Sequence, residues 1–319
     1  MLETDFRVST RKFAGVARVL KVIENRLRVS HSDSSLSEST GTQYNHIMPE
    51  KRVPQRVASL QPSISVTLRD LGLLDRLAAC TRYCRDVCPE LAATGCAVVD
   101  DSWSAKAEEI LAAKPDLVMA SVPYRMESLA EIMKAGIPCL LLSPRSLADV
   151  YQDMMHIARI MGAEQRGVEL VKNIEREIEA VRQKTAAAVK ALVYCEEWGK
   201  PLILSQRWVA ELVEAAGGRF FGEPGKQVKE EDVAAADPDV IVAAWCGAGD
   251  RVPLEKIVAR SGWESTRAAK NGRVYCINDE FLNTPASTLV DGLKALAAAI
   301  HPEMFDTRQG LRRIQLQRV

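Results

Sequence analysis

The chain has 319 residues, 47% of them hydrophobic and 26% charged, with 42 Lys and Arg against 42 Asp and Glu. That balance is globular, allows one large domain or two ordinary ones, and leaves no bulk field to attract nucleic acid or an anionic membrane. No apolar run approaches the ~20 residues that span a bilayer, and "KFAGVARVLKVIENRLRV" near the N-terminus is too interrupted by charge to be a signal peptide.

Residues 1–55 read as a leader, disordered or adventitious: a basic, weakly amphipathic stretch runs into the Ser-rich "HSDSSLSESTGTQYNH". Met48 is a candidate start of the functional chain, which N-terminal sequencing of the native protein checks. From Arg56, short apolar runs alternate with helical patterns. "RVASL" predicts a strand, "SISVTLRDLGLLDRL" a helix, and "AACT" and "CAVVD" two further strands. The helix "SAKAEEILAAK", the strand "DLVMAS", the helix "RMESLAEIMKAG" and the strand "PCLLLS" complete a βα lobe over 56–145 with a parallel sheet.

Residues 146–189 break this rhythm and read as a helical connector. "SLADVYQDMMHIARIMG" is one amphipathic helix, and after Gly162 the spacing of Val171, Ile174, Ile178 and Val181 predicts a second. Roughly 22 residues at ~1.5 Å each give that second helix a length of ~33 Å, about the width of a small domain. The βα alternation then resumes over 190–302 with "ALVYC", "SQRWVAELVEAAGG", "KEEDVAAAD", "DVIVAAW", "RVYCI" and a last helix from about Ser287 to Ile300, leaving 303–319 as a tail. One phrase occurs twice, as "AEEILAAKPDLVMA" at 107–120 and "EEDVAAADPDVIVA" at 230–243. Its recurrence on either side of the long helix predicts two equivalent lobes.

Cysteine usage points to thiols rather than a disulfide framework, since several of the eight sit inside apolar strand-like runs. With no export signal in view, the expected location is the cytoplasm. "CTRYCRDVC" sets Cys80, Cys84 and Cys88 at four-residue intervals, which matches neither a zinc CxxC pair nor a ferredoxin spacing. A structural role, contact with a ligand or soft metal, and an iron–sulfur site all remain open for it. The histidines, His31, His46, His156 and His301, are too scattered for a triad or a zinc site, and the chain has no GxGxxG, Walker or GxSxG motif.

Aromatic residues are scarce but placed alike. Trp103, Tyr124, Trp198, Trp245 and Phe281 each fall at or just past the carboxyl end of an expected strand, the edge where open α/β sheets bind ligands. Two lobes presenting such rings to one cleft suit a broad, flat, largely apolar ligand.

With these features in place, residues 56–302 resemble the cobalamin- and siderophore-type substrate-binding proteins of ABC importers, nearest the vitamin-receptor branch. The resemblance is carried by "RVASLQPSISVTLRDLG", "DSWSAKAEEILAAKPDLV", "AGIPCLLL", "EEWGKPLILSQRWVAELVEAAGG", "VAAADPDVIV" and "NGRVYCINDEFLNTPASTLVDGLKALAAAIHPE". It implies two Rossmann-like lobes with parallel sheets joined by one long backbone helix. It also implies a monomer that binds a corrinoid without catalysing a reaction, and an alternative location in the periplasm.

Corrin-lining positions carried over from the family are Tyr83, Trp103, Trp198, Trp208 and Phe281. Tyr124 and Trp245 join them as ligand contacts by placement, with Cys84 as a candidate cobalt ligand. Permease docking falls on Glu108 and Glu231, one in each copy of the repeated phrase. The chain departs from the family in lacking an export signal or lipobox, in reading "SQRW" where relatives have a "GHW"-like turn, and in "LNTPAST" after Phe281 in place of a basic, glycine-containing turn. Two alternatives stand beside the corrinoid. One is haem or a ferric siderophore held by Arg82, Arg125, Arg207 and Arg251; the other is a cytosolic metal- or corrinoid-handling enzyme or chaperone using Cys80, Cys84 and Cys88.

Overall fold

Short apolar strands between amphipathic helices build the first lobe, in the order β1 (Val57–Ser59), α1 (Pro62–Asp70), β2 (Leu77–Thr81), α2 (Arg82–Val87), β3 (Ala97–Val99), α3 (Ala107–Ala112), β4 (Leu117–Ser121), α4 (Met126–Lys134) and β5 (Cys139–Leu142). The computed structural model describes residues 52–100, 103–306 and 310–315, so the leader, with Met48, His31 and His46, lies outside the described residues, as does part of the tail. The strands pair in the order β3-β2-β1-β4-β5, every pair parallel. β4 is buried at every position, as expected where helices cover both faces of a parallel sheet. The helix expected to reach Leu77 stops at Asp70, because Gly72 adopts a left-handed φ of 64° that turns the chain into a short 3-10 segment, Leu74–Arg76.

The connector is two helices, α5 (Leu147–Ile160) and α6 (Glu164–Thr185). Ser146 and Asp149 form a reciprocal capping box that starts α5. At 22 residues, α6 has the length its spacing implied. A Cβ on Gly167 would meet that of Ala158 at 2.4 Å, so a bare backbone lets α6 approach α5. Farther along, α6 packs on α7 (Arg207–Ala215) and α12 (Leu289–Ile300) of the second lobe, tying both halves to one rod.

The second lobe contains β6 (Ala191–Gly199), β7 (Leu202–Leu204), α7, β8 (Gly218–Phe220), α8 (Glu230–Ala236), β9 (Val240–Ala243), α9 (Leu254–Val258), α10 (Arg267–Lys270), β10 (Val274–Ile277), α11 (Glu280–Asn283), α12 and β11 (Leu311–Arg313). Its sheet runs β11-β10-β9-β6-β7, with β8 also on β6. The second sheet is mixed, with a parallel centre and an antiparallel pair toward each edge. β6–β7 and β10–β11 are antiparallel, because the chain reverses at Lys200–Pro201 and because part of the tail returns to the edge of the sheet.

The repeated phrase is one structural device used twice. Asp116 donates its amide to Arg56 O and accepts the Arg56 amide on its carboxylate at 3.0 Å; Asp239 does the same with Leu192, at 2.7 Å to the carboxylate. Each aspartate thus staples the start of its strand, β4 or β9, to the start of its neighbour, β1 or β6. The residues two positions earlier, Lys114 and Asp237, share a left-handed φ of 50° and 48°, a conformation that side chains with a Cβ rarely adopt. Pro115 and Pro238 follow them and fix the entry into the strand.

Residues 51–319 form one compact unit. A single apolar cluster runs through helices α1, α5, α6, α7 and α12 and one face of both sheets, from Val57 and Cys80 to Val193 and Val240. Each sheet has a separate cluster on its other face, around Ile110 and Ile132 in the first lobe and around Tyr194, Ile241 and Trp263 in the second. The hydroxyl of Ser287 also donates to the Asp70 carboxylate, joining the α12 side to the end of α1. No described helix is long and apolar enough to cross a membrane.

Candidate functional site

In the first lobe, the carboxyl ends of β2, β3 and β4 carry an exposed aromatic and apolar surface. Thr81 caps α2 by accepting the Cys84 amide, and this sets Tyr83 on the first turn. The Tyr83 ring lies 5.8 Å from that of Trp103, centroid to centroid, with 33° between their planes. Trp103 keeps half of its surface, 50%, open to solvent. The Arg82 guanidinium sits 4.7 Å above the Tyr83 ring and donates to its hydroxyl. After β4, Val122 and Met126 are exposed and Tyr124 is partly buried against the lobe's outer core. Gln61 binds the carbonyls of Ser121 and Pro123, fixing this loop to the end of β1. Covering half an indole removes on the order of 100 Å² from water, about 2–3 kcal/mol at ~25 cal/mol per Å².

The second lobe has a matching edge. Trp198, near the end of β6, is 46% exposed and donates its indole N–H to Lys200 O. Trp245, just past β9, is partly exposed and lies against Gly199 so closely that a Cβ there would come within 2.5 Å of the indole. Its N–H is held at 2.7 Å by Glu196, a fully buried carboxylate that also takes two hydrogen bonds from Arg260, at 2.5 and 2.9 Å, and one from the Tyr194 hydroxyl at 2.5 Å. The "CGAG" turn that follows folds around Asp279. Gly247 and Gly249, at φ 77° and 59°, aim their amides at its carboxylate at 2.7 and 2.8 Å. Cys246 is the exposed thiol; Asn283 donates to it, and burial together with Glu197 and Asp279 pushes its pKa up. Burial likewise raises the carboxyl pKa values of Glu197, Asp279 and Glu280. Phe281 is partly buried against Gly310.

Two expected contacts are corrected. Trp208 is only 8% exposed, because it faces the core from the first turn of α7 and donates its N–H to Leu282 O; it anchors the turn after β10 and offers no free ring. Cys84 is fully buried, with Thr81 Oγ1 at 3.2 Å from its sulfur, and burial raises its pKa, so it presents no thiolate to a cobalt ion. Cys80 and Cys88 are equally buried, and among the described residues no three His, Cys, Asp or Glu side chains group to hold a metal ion. The four candidate arginines all have partners within the chain: Tyr83 for Arg82, Glu127 for Arg125, Glu211 for Arg207 and Ala248 O for Arg251. Glu108 and Glu231 are both exposed in the first turns of α3 and α8. A separate groove of about 720 Å³ along α6, lined by Tyr151, Glu175, Arg182 and Glu211 among others, shares no residue with the aromatic set.

Sequence reading passed over Glu196 and Arg260. The available signal was the alternation Tyr194, Glu196, Trp198 in "VYCEEW", which puts a carboxylate on one face of an apolar strand, where it needs a buried cation.

A family model described as periplasmic binding protein matches residues 57–281. The chain is 25% identical over 270 residues to an uncharacterized ABC transporter substrate-binding lipoprotein, YvrC, of Bacillus subtilis, covering 80% of this chain and 82% of that one. It is 24% identical over 260 residues to a cobalamin-binding protein of Halobacterium salinarum, covering 78% of this chain and 70% of that one. The structure of a periplasmic heme binding protein from Pseudomonas aeruginosa superposes with a TM-score of 0.74 at 21% identity, over 84% of this chain and all of the other. The relatives' placement gives no support to the expected cytoplasmic location.

Proposed function

The chain belongs to the periplasmic binding protein family, and on that premise we propose that it is the substrate-binding component of an ABC importer and that its solute is a corrinoid. Proteins of this family bind solutes without converting them, and their place of action is outside the cytoplasmic membrane. The observation that carries the reading is the pair of aromatic edges. Trp103, in tilted contact with Tyr83 in one lobe, and Trp198 in the other are left half open at the carboxyl ends of their strands. In this reading they form two walls of one site and cover the faces of a wide macrocycle, with Tyr124, Trp245 and Phe281 extending the walls. Solvent-exposed rings of this size are costly unless a ligand covers them.

The charge around these edges favours a corrinoid over haem or a ferric siderophore, whose carboxylate or chelate anions call for free cations. Arg125 and Arg207 are already paired with the carboxylates of Glu127 and Glu211, and Glu197, Asp279 and Glu280 put further carboxyl groups on the second lobe's side. A metal-handling enzyme or chaperone finds no accessible thiol in Cys80, Cys84 and Cys88. Glu108 and Glu231 would meet the permease, each placed eight residues before the aspartate that staples its lobe. Calorimetric and absorbance titration with cyanocobalamin, hydroxocobalamin and haemin tests the ligand. Stoichiometric corrinoid binding at micromolar concentration is expected; heat and a Soret shift with haemin alone would reject the corrinoid.

A further inference from the structure

Four indoles among the described residues donate their N–H to a partner within the chain. Trp198 meets Lys200 O, Trp208 meets Leu282 O and Trp263 meets Glu230 O, all neutral carbonyls. Trp245 alone among these meets a carboxylate. That carboxylate, Glu196, has no solvent exposure, and every contact it makes points the same way. Arg260 grips both oxygens, Tyr194 donates to one, and Trp245 takes the remaining direction. Arg260 is fixed in turn, with its guanidinium 4.7 Å over the Trp263 ring and its side chain 10% exposed.

A buried ion pair of this kind contributes little net stability compared with apolar residues of the same volume, because the desolvation of both charges offsets their attraction. Its geometric consequence is larger. The indole is held at its N–H end by a fixed acceptor and along its benzo edge by the bare Cα of Gly199, where a Cβ would lie 2.5–3.0 Å from three ring atoms. Ring rotation about either side-chain torsion would break the first contact or collide with β6. The partly exposed part of the ring stays free, beside the exposed Trp198 on the same strand end.

We propose that Glu196 is a positioning residue for ligand binding: locked by Arg260 and Tyr194, it fixes the Trp245 indole as a rigid plate in the second lobe's wall. The assignment rests on the reading that this wall receives a macrocycle. A plate already held in place loses little conformational entropy on binding, so affinity depends on the carboxylate behind it as well as on the ring.

The test is a double-mutant cycle in the full-length protein, with cyanocobalamin as the probe and calorimetric affinity as the readout. Trp245→Phe keeps a ring but removes the N–H; Glu196→Gln removes the charge. Each is expected to weaken binding about tenfold, and the double variant to bind no more weakly than Glu196→Gln alone, since both lesions cut one link. Near-UV circular dichroism should show the same loss of a fixed indole in both single variants. Unchanged affinity in Glu196→Gln with only a lowered melting temperature would make the network structural and overturn the proposal. Fully additive losses would do the same.

If Glu196→Gln does not fold, Trp245→Phe decides alone, and wild-type affinity there overturns the proposal. If the wild type takes haemin and no cyanocobalamin, the corrinoid reading has failed, and the same cycle run with haemin decides the positioning role. A wild type that takes neither overturns both.

Discussion

The aspartate staples allow a stability prediction in which two copies of one motif give different answers. Asp239→Ala removes the acceptor of the Leu192 amide, a 2.7 Å bond to a residue at the buried start of β6. A hydrogen bond to a charged group contributes ~1.5–3 kcal/mol, and stranding a buried amide lies at the upper end of that range. The Arg267 ion pair at 2.7 Å is also lost, but Arg267 is half exposed and keeps Asp237, so this adds under ~1 kcal/mol. The sum is roughly 3–4 kcal/mol, or about 6–12 °C in melting temperature for a domain of this size.

Asp116→Ala breaks the equivalent staple, yet the amides it frees, Gln55 and Arg56, belong to exposed residues that water can serve, so about 1 kcal/mol is expected. Urea unfolding followed by far-ultraviolet circular dichroism gives both values. If Asp239→Ala lies within 0.5 kcal/mol of the wild type, or Asp116→Ala proves the more damaging, the staples do not hold the sheets together as argued.

Other expectations follow from the same structure. Trp103→Ala and Trp198→Ala should each weaken corrinoid binding roughly 30- to 150-fold by calorimetry while leaving the urea midpoint nearly unchanged, because both rings are half exposed in the free protein. Burial, helped by Asp149, pushes the Asp153 carboxyl up to about 6, above its unfolded value of ~3.9. The folded state therefore holds this proton to higher pH, and the group's contribution makes stability fall as pH rises from about 4 to 6 and level off above. The effect is on the order of 1–2 kcal/mol once its partial exposure is allowed for, and Asp153→Asn should flatten that part of a stability–pH curve. Dithionitrobenzoate should react readily with at most Cys246 and Cys139 in the folded protein and with all eight thiols in guanidinium; fast reaction at Cys80, Cys84 or Cys88 would contradict their burial. Glu108→Arg and Glu231→Arg should abolish corrinoid uptake through the permease while leaving calorimetric affinity unchanged.

Much of the architecture was legible because its signals are local. The spacing of Ile174, Ile178 and Val181 gives α6 its extent, and the buried β4 and β9 read directly as apolar runs after Pro-Asp. The repeated phrase marks the same helix–turn–strand unit in both sheets, and the structure adds its mechanism in the left-handed Lys114 and Asp237 and the carboxylate staples. What was not legible depended on contacts distant in sequence. β11 is a short charged segment whose strand state comes only from its pairing with β10. Trp208 and Cys84 sit in stretches that suit a ligand wall, but both face the shared core, the first from α7 and the second from α2. Glu196 and Arg260, 64 positions apart, cannot be paired without the fold.

The most direct test is the structure of the protein with cyanocobalamin bound. One corrinoid is expected between the lobes, with the Trp103 ring on one side and the Trp198 ring on the other, each within about 4 Å of the same ligand. A corrinoid seated on one lobe alone, or in the groove along α6 with both indoles still in water, would contradict that arrangement.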